Sequence, residues 1–568
     1  MGRYNLKKNI LHIATALLLF VVVNVISNYV YGRFDITQDQ RYTLSEAAKN
    51  TIADVNSPIV VDVFLDGNFP PEFKRLKIET AQLLEEFSNY NPNIKFEFIN
   101  PLETDNPEAL QQQFAAQGMK GAQVEVRENG KVSTEIVYPW ALAYYNERSV
   151  KIPLLKNTLG ATSEERVNNS IQNLEYAFAN GFHQLVNAKS KRIAVLKGNG
   201  ELDDHYVADL FSTLRNTYYI APFTLDSAAV APVKTLEQLN SFDLVVVAQP
   251  TEAFSDSEKY ILDQFTMNGG ASIWLVEGTE AVQNPENGAT VLIPKDLNLG
   301  DFFFKYGIRV NTNVLKDVYC APIVLASGEE RDAQYNRYPW LFHPLTASNS
   351  THPIVNNIEA VKFEYASAID TLPNALQKTI LLSSSPLTKI QGVPVEVSID
   401  EEIPKALAVV NQGPNPAEFN AGEVPMAVLL EGEFPSAFTN RIKPFKLSAE
   451  SKLTDRTNSA PTKMLVVSDG DVIKNQLDNG RPLELGFDKW TQTFYGNKEF
   501  LLNAVNFMLE DSGLINIRNK KIAVPFLDPQ KTVAERNQWQ LVNILVPLAL
   551  LALFGLLFRY IRKRKYAR

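Results

Sequence analysis

The sequence predicts an α/β protein in which two membrane helices flank two soluble α/β domains. Two uncharged apolar runs, at residues 10–32 and 538–558, each reach the ~20 residues that cross a bilayer. Between the two runs, apolar strands alternate with amphipathic helices, which is the pattern of α/β folds. At 568 residues the chain is also too long for a single hydrophobic core.

The positive charges at the two ends predict the orientation of both helices. Arg3, Lys7 and Lys8 precede the first run, and the tail at 559–568 carries six Lys and Arg residues. Because Lys and Arg collect on the cytoplasmic side of a membrane, we expect both tails, 1–9 and 559–568, in the cytoplasm. The chain is then a two-pass inner-membrane protein with a large external domain between the helices.

The first apolar run also fits a cleaved signal peptide. It is long for such a segment, and residues 25–32 contain no A-x-A-like cleavage site, so we favour an uncleaved anchor. Asn24 and Asn28 are polar positions within this run. They either face another helix or reach the membrane interface near the helix end, and the sequence leaves both alternatives open.

Charge and cysteine content restrict the partners and the compartment. The tails hold nine of the 55 basic residues, so the rest of the chain has 46 basic against 64 acidic side chains. Such a surface repels nucleic acid and anionic lipid. Cys320 is the one cysteine, which excludes an intramolecular disulfide and makes a bacterial periplasm the easier setting. The apolar neighbours of Cys320 predict a buried thiol.

Residues 33–160 predict a small α/β domain. A strand at 59–65, a helix at 73–90 and a strand at 94–99 form a β-α-β unit. A helix at 107–117 follows, and then four strands, the first two joined at Asn-Gly, a hairpin turn signal. These strands are 123–127, 133–137, 141–145 and 149–154. The outline is thioredoxin-like, but the lack of a C-x-x-C pair excludes thioredoxin redox chemistry.

Residues 191–514 predict a larger domain on a parallel sheet, joined to the first by a bridging helix within 161–190. Strands at 192–197, 218–224, 244–249 and 272–277 alternate with helices at 204–216 and 255–268. An aromatic-rich insertion at 285–360 interrupts the pattern. The domain is completed by strands at 361–366, 379–383, 406–411, 426–432 and 464–468 and a helix at 499–509. Residues 515–537 return the chain to the membrane.

The sequence contains no motif of a known catalytic or nucleotide-binding site. It lacks G-x-x-x-x-G-K-[ST], H-E-x-x-H, G-x-S-x-G and zinc-type cysteine pairs. We therefore expect no enzyme activity, no cofactor and no bound metal. His343 and His352 share one segment, but no nearby carboxylate in the sequence supports a metal site, and structural roles are favoured.

Three short stretches are candidates for contacts with a ligand or partner. The Gly-Asn-Gly at 198–200 follows the first parallel strand, where such sheets bind ligands, but a tight turn is favoured. Asp469 and Asp471, after the last strand, either coordinate a cation or form a turn, and the turn is favoured. Tyr338 and Trp340 either offer a stacking surface or fill a core, and the core is favoured.

Several stretches resemble the GldG family of gliding-motility-associated ABC transporter components. They are 33–65 (RFDITQDQRYTLSEAAKNTIADVNSPIVVDVFL), 243–278, 352–354 (HPI), 463–471 and 496–500 (GNKEF). The resemblance covers nearly the whole chain, including both apolar runs. It implies that the larger domain is similar to glutamine amidotransferases. The elbow positions at 198–201 and 250–252 contain no cysteine, so amidotransferase activity is not implied.

The resemblance implies a non-enzymatic auxiliary subunit, often labelled substrate-binding, that acts with an ABC permease and an ABC ATPase. In gliding Bacteroidetes such a complex is needed for gliding motility, which is tied to type IX secretion. The periplasmic region would bind a periplasmic protein or cargo and couple it to ATP-driven movement. Two alternatives stay open. One is a free-standing binding module for a cell-envelope glycan or peptide, and the other is a hydrolase without a recognised motif.

Overall fold

The computed structural model describes most of the chain from residue 43 to residue 520 and a long helix beyond it. The described residues are 13–22, 24, 43–103, 106–128, 131–156, 160–284, 289–328, 334–346, 351–447, 453, 455–509, 513–520, 531 and 534–566. The chain forms two compact units, Met1–Lys521 and Ile522–Arg568.

The helices are numbered in chain order. They are α1 Ile13–Val22, α2 Glu46–Ile52, α3 Pro71–Tyr90, α4 Pro107–Ala116, α5 Ser163–Val186, α6 Asp204–Leu214, α7 Pro232–Leu239, α8 Asp256–Met267, α9 Gly300–Tyr306, α10 Ile399–Gln412, α11 Asn497–Leu509 and α12 Arg536–Tyr566. Short 3₁₀ helices occur at Asp226–Ala229, Asp471–Ile473 and Leu514–Asn519.

The strands are numbered in the same way. They are β1 Ile59–Val63, β2 Ile94–Phe98, β3 Ala122–Glu128, β4 Lys131–Val137, β5 Trp140–Tyr145, β6 Arg148–Pro153, β7 Arg192–Lys197, β8 Tyr219–Thr224, β9 Leu244–Ala248, β10 Ala271–Leu275, β11 Thr279–Gln283, β12 Thr290–Pro294, β13 Ile308–Val310, β14 Asn313–Asp317, β15 Cys320–Ser327, β16 Gln334–Thr346, β17 Val361–Lys362, β18 Ile369–Thr371, β19 Gln377–Ser383, β20 Thr388–Gly392, β21 Val395–Val397, β22 Pro425–Gly432 and β23 Thr462–Val467. Four two-residue strands follow, at Leu477–Asp478, Arg481–Pro482, Phe487–Asp488 and Thr493–Phe494.

The first sheet has the strand order β2-β1-β5-β6. β1 is parallel to β2 and antiparallel to β5. Buried residues alternate with more exposed ones along β1, because one face of the sheet lies on the core. β3 and β4 pair with each other as a separate hairpin. These elements lie where the sequence pattern predicts them, and the thioredoxin-like assignment of the region remains a prediction.

α5 packs into the core of this first sheet. It begins with a capping box in which Thr162 and Glu165 satisfy each other's backbone N–H groups. The box starts one residue before the Ser163 at which the sequence suggests a helix start. Phe182 contacts Phe87 of α3 edge-on, with ring centroids 5.1 Å apart. The helix predicted as a bridge therefore contributes a buried face to the first region.

The second sheet has seven strands in the order β19-β22-β23-β10-β9-β7-β8. β8, β7, β9, β10 and β23 run parallel, and β22 and β19 complete the sheet in the antiparallel direction. Every residue of β9 and β10 is buried, because helices cover both faces. α6 and α11 pack on one face, and α7, α8 and α9 pack on the other.

Small sheets form between β10 and β22, within the insertion predicted at 285–360 and beyond it. Their strand orders are β11-β12-β21, β13-β18, β14-β20 and β15-β16-β17. The strand predicted at 361–366 to complete the large sheet is wrong in this respect, because it is reduced to β17, which pairs with β16.

Phe302 and Phe303 of α9 contact Trp274, with ring centroids 5.6 and 5.4 Å away. Trp340 and Phe342 of β16 belong to a separate buried cluster. These aromatic residues therefore fill cores, whereas Phe304 and Tyr335 are exposed.

The strand predicted at 406–411 is wrong, because these residues belong to α10. The helix follows Ser398, and its first turn holds Asp400, Glu401 and Glu402, which the helix dipole favours at that end. A short apolar run does not distinguish a strand from a helix by periodicity. The three acidic residues before the run are the signal that the strand prediction overlooked.

One helix of membrane-spanning length lies within the described part of the chain, at Arg536–Lys565 in α12. α1 is apolar but shorter, and Asn24 is the one other described residue of the run predicted at 10–32. The Asn24 side chain donates from Nδ2 to the carbonyl of Phe20 over 3.0 Å. Asn28 lies outside the described residues. The two-pass topology therefore remains a prediction.

Replacing Trp274 with alanine is expected to lower the free energy of unfolding by about 3–5 kcal/mol. The indole is 1% exposed and packs against α9. Trp490→Ala is the matched control, since Trp490 is 60% exposed, and its effect should stay within about 0.5 kcal/mol. Chemical denaturation of the full chain in detergent measures both effects. Equal losses in the two variants would contradict the core position of Trp274.

Candidate functional site

The carboxyl ends of the parallel strands meet at one edge of the second sheet. The loops that leave this edge begin at Gly198 after β7, Gln249 after β9, Val276 after β10 and Ser468 after β23. Open α/β sheets bind ligands at this edge. β9 and β10 are buried throughout and carry no ionisable side chain, so the first carboxylate after β10 comes in its loop.

The loop after β7 is a tight turn. Gly198 and Gly200 have φ angles of 115° and 71°, which favour glycine. A Cβ on Gly200 would lie 1.9 Å from Thr251 Oγ1. The backbone N–H groups of Thr251 and Glu252 both donate to the carbonyl of Asn199 over 2.9 Å. The loop after β7 therefore bends at two glycines and is held to the loop after β9, and the choice between a turn and a ligand site stays a prediction.

Three carboxylates from the loops after β10 and β23 lie together. One oxygen from each of Glu277, Asp469 and Asp471 lies within 4.8 Å of the others. Asp469 is fully buried, and the other two side chains are partly buried. Leu275 pairs with Val467 at the ends of the two parallel strands. The second residue after each strand, Glu277 or Asp469, therefore arrives at the same place.

Glu277 is held by two side chains from neighbouring segments. Lys295 Nζ, one residue after β12, lies 3.1 Å from Oε2 of Glu277. Gln249 Nε2 donates to Oε1 of Glu277 over 2.5 Å. Gln249 has a φ of 55°, and a Cβ on Gly470 would lie 2.3 Å from its Cγ. A glycine at position 470 is therefore what allows Gln249 to reach Glu277.

Asp469 and Asp471 have different partners. Asp469 accepts hydrogen bonds from the backbone N–H groups of Glu364 and Asp471, over 2.5 and 2.7 Å. Lys474 Nζ lies 2.7 Å from Oδ1 of Asp471. No described Lys or Arg forms an ion pair with Asp469. The buried carboxyl is thus held by the backbone alone, and Asp471 is held by one lysine.

Burial and mutual repulsion favour the protonated forms of these two acids. Burial, followed by the charges of Asp471 and Glu277, raises the pKa of Asp469 well above its ordinary value. Burial and the charge of Glu364 raise the pKa of Asp471 to about 6, although Lys474 opposes this rise. The cluster therefore holds protons at pH values where exposed carboxylates have lost them.

A second charged group lies next to the cluster. Lys362 Nζ is 2.8 Å from Glu364, and His343 Nε2 is 4.0 Å from the same carboxylate. Burial raises the pKa of Glu364, but the charges of His343 and Lys362 outweigh it and hold that pKa at about 2. Burial lowers the pKa of His343 to about 4, so its ring is neutral at pH 7. The fold thus brings to His343 a carboxylate, Glu364, that the local sequence pattern does not indicate.

The second histidine of that segment, His352, packs against an aromatic ring. Its imidazole lies 4.8 Å from the ring of Phe507, centroid to centroid. Burial and the charge of Lys463 lower the pKa of His352 to about 4. A neutral ring in an aromatic contact agrees with the structural role favoured for this residue.

The carboxylate cluster is the set of acidic side chains, within the described part of the chain, close enough to hold a cation. Lys295 and Lys474 already neutralise Glu277 and Asp471. Asp469 is occupied by two backbone donors. A cation would have to displace both ammonium groups and the retained protons. Lysines, backbone donors and retained protons thus compensate the negative charges of the cluster without a metal. The absence of a metal cofactor remains a prediction.

Two nucleophile candidates, Ser468 at this edge and Cys320 on β15 elsewhere in the fold, are not activated. Ser468 is fully buried, and its hydroxyl donates to the carbonyl of Ser367 over 2.5 Å. Burial raises the pKa of Cys320 on β15 to about 12, so the thiol stays protonated. Among the residues that the structure describes, no base forms a hydrogen bond with either group, although nucleophilic catalysis requires one.

The structure brings together two of the residues singled out from the sequence, Asp469 and Asp471. Trp340 is 4% exposed, and its ring lies 5.6 Å from that of Phe342. This position agrees with the alternative in which Trp340 fills a core. Tyr338 lies two residues earlier on β16 and is half-buried. Asn24 forms its described hydrogen bond within its own helix.

Sequence reasoning missed Glu277, Gln249 and Lys295. Glu277 carries the same signal as Asp469, since both are the second residue after a buried parallel strand. Gln249 comes directly after β9 and could have been found in the same way. Lys295 gave no such signal, because it lies 18 residues after Glu277, beyond the hairpin of β11 and β12.

Two family models match the chain. The ABC_transp_aux model, described as an ABC-type uncharacterized transport system, matches residues 190–504. A domain of unknown function, DUF7088, matches residues 38–144. The first match spans more than half of the chain, and the protein belongs to this family of auxiliary components of ABC-type transport systems. The family implies association with other components of an ABC transporter.

No protein of curated function matches the chain significantly. Solved structures that match include one titled "mmIFT52 N-terminal domain", at 12% sequence identity and a TM-score of 0.32. That alignment covers 56% of this chain and 99% of the other.

Asp471→Asn is expected to stabilise the protein above pH 6 and to have little effect near pH 4. The pKa of about 6 in the folded state lies above the ordinary 3.8. The folded form therefore binds more protons between these values, and stability falls as pH rises through this window. Asparagine removes the ionisation and keeps an acceptor for Lys474, so the gain at pH 7.5 is on the order of 2 kcal/mol.

Chemical denaturation of the full chain at pH 4 and pH 7.5 measures this gain. Asp54→Asn, at an exposed position, is the control and should change neither value. A loss of stability at pH 7.5 in Asp471→Asn would show that the ion pair with Lys474 outweighs burial.

Proposed function

We propose that the protein is a membrane-anchored auxiliary, substrate-binding subunit of an ABC-type complex needed for gliding motility and linked to type IX secretion. It couples a periplasmic domain to an ABC permease and an ABC ATPase. The observation that carries this proposal is the family match over residues 190–504, in a chain that also has a membrane-length helix. The resemblance to GldG-type components supports the finer assignment.

The membrane part of the proposal is a two-pass protein of the bacterial inner membrane with both termini in the cytoplasm. α12 has the length and apolar character of a membrane helix and leads into the basic tail at 559–568. The uncharged run at 10–32 supports a second anchor. Anchors at both ends suit a subunit that moves with membrane partners.

The proposed role is binding and coupling without catalysis. At the carboxyl edge of the second sheet, the carboxylates of Glu277 and Asp471 are already paired with lysines. The buried hydroxyl of Ser468 donates to a carbonyl. This chemistry supports a folded scaffold whose ATP-driven work is done by another subunit.

Affinity purification of the full-length chain from native membranes in mild detergent, followed by mass spectrometry, tests this function. An ABC ATPase and a multi-spanning permease should be recovered in amounts comparable to the chain. The matched control replaces 538–558 with leucines, which keeps an anchor and removes specific helix contacts. Recovery of the chain alone, or only with envelope glycan, would favour a free-standing periplasmic binding module for a glycan or peptide.

The double substitution Asn24→Leu, Asn28→Leu is expected to weaken assembly. If these amides face another membrane helix, each replacement removes a hydrogen bond of roughly 0.5–2 kcal/mol within the bilayer. The yield of permease relative to the tagged chain measures the effect. Thr15→Leu in the same helix is the control for added apolar bulk. Unchanged recovery from the double variant would place both amides at the interface instead.

A further inference from the structure

The segments through which the soluble region connects to its two ends lie side by side. Residue 43 follows the predicted first anchor and its linker, and residue 520 precedes the linker to α12. Lys520 Nζ donates to the backbone carbonyl of Thr43 over 2.7 Å. Residues separated by 477 positions in sequence are therefore in direct contact.

A single buried carboxylate of α5 holds both segments. Glu175 is 3% exposed. Its Oε1 accepts a hydrogen bond from the backbone N–H of Ser45, the N-cap of α2, over 2.6 Å. Its Oε2 lies 2.7 Å from Lys520 Nζ. Each carboxylate oxygen of Glu175 thus accepts a hydrogen bond from a different segment.

The outgoing segment has further contacts with α5 that do not involve Glu175. Arg518 is 5% exposed, and its Nη1 donates to Asn173 Oδ1 over 3.3 Å. The Arg518 guanidinium also lies 5.1 Å from the ring centroid of Tyr176 and 2.8 Å from Glu499. The 3₁₀ helix Leu514–Asn519 is therefore held to α5 and α11 independently.

Open space separates the two segments beside this contact. A cleft of about 360 Å³ is lined by residues of both segments, namely Thr43, Leu44, Ser45, Ala47, Gly513, Asn516, Ile517 and Lys520. Leu44 and Ile517 belong to the same buried apolar cluster, and Glu175 and Lys520 add a polar junction to this apolar contact.

We propose that Glu175 is a latch that joins the two membrane connections into one attachment to the soluble region. The proposal rests on anchoring at both ends, as in the proposed function. While Glu175 holds both segments, a movement of either membrane connection is transmitted to α5 and to the other connection. With the latch open, the segment at 43–52 keeps only its apolar contacts with α5 and with the outgoing segment, which Arg518 still holds in place. Glu175 is thus a positioning residue for coupling, with no role in binding a ligand.

Hydrogen–deuterium exchange of the full-length chain in detergent tests the latch. Glu175→Gln keeps the shape and removes the charge that holds Lys520. Amides at 44–52 should exchange at least tenfold faster, whereas those of β1 and β9 should not change. Lys520→Met should give the same result, and Lys520→Arg, which keeps the charge, should restore slow exchange. Glu164→Gln, at an exposed position of the same helix, is the matched control.

Two outcomes of the exchange experiment overturn the proposal. Equal exchange in Glu175→Gln and Glu164→Gln would show that Glu175 does not hold the segment at 44–52. Faster exchange throughout the first sheet would show that Glu175 only stabilises the core. Copurification of permease and ATPase with wild type is a separate result, so failure of the subunit assignment is distinguishable from failure of the latch.

Spin labels at Glu46→Cys and Asn516→Cys, in a Cys320→Ser background, report the movement directly. Both positions are exposed. The distribution of distances between the labels should be narrow in the parent and at least twofold broader after Glu175→Gln. An unchanged width would overturn the claim that the two connections are joined at this residue.

Discussion

Burial of both faces of the seven-stranded sheet is the constraint on which the rest of the structure depends. Every residue of β9 and β10 is buried because helices lie above and below them, and neither strand carries an ionisable side chain. The acidic side chains of this part of the sheet therefore lie in the loops at the strand ends. Parallel pairing then aligns those ends, so that Glu277 and Asp469 meet although 192 positions separate them in the sequence. The cluster of partly protonated carboxylates at this edge is a direct result of this arrangement.

Buried charges fix the connections between distant segments. Glu499 of α11 pairs with Arg518 and Lys156, at 2.8 and 2.9 Å. Glu402 of α10 pairs with Lys316 of β14 at 2.6 Å. Such pairs add little net stability compared with apolar packing, but losing one partner costs about 3–5 kcal/mol. They therefore specify which segments lie together, whereas the apolar clusters supply the driving force for folding.

The sequence was most informative where one periodicity decided the local structure. Short apolar runs located β9 and β10, and the glycines at 198 and 200 located the bend after β7. The strand prediction at 406–411 was wrong because an apolar run of that length fits a helix equally well. The acidic residues before the run favour the first turn of a helix, and the structure has α10 there. Asp469 was found by its place after a strand, and Glu277 was overlooked at the equivalent place.

Other parts of the candidate site could not be predicted from local patterns. Lys295 reaches Glu277 because a hairpin returns the chain to the sheet edge, and no periodicity encodes that return. The contact between His343 and Glu364 depends in the same way on tertiary packing. In the sequence, Glu175 is indistinguishable from an ordinary exposed polar position of an amphipathic helix. Its burial follows from α2 and the 3₁₀ helix at Leu514–Asn519 packing over it.

The adjacency of Thr43 and Lys520 has a consequence for how such a protein is assembled in evolution. A folded body whose two ends touch can be placed within a short turn between two helices without forcing them apart. The stretch from 43 to 520 has this property, whatever its internal architecture. A lineage can therefore enlarge, trim or exchange the entire stretch as a cassette, while the sequences that precede and follow it keep their own partners.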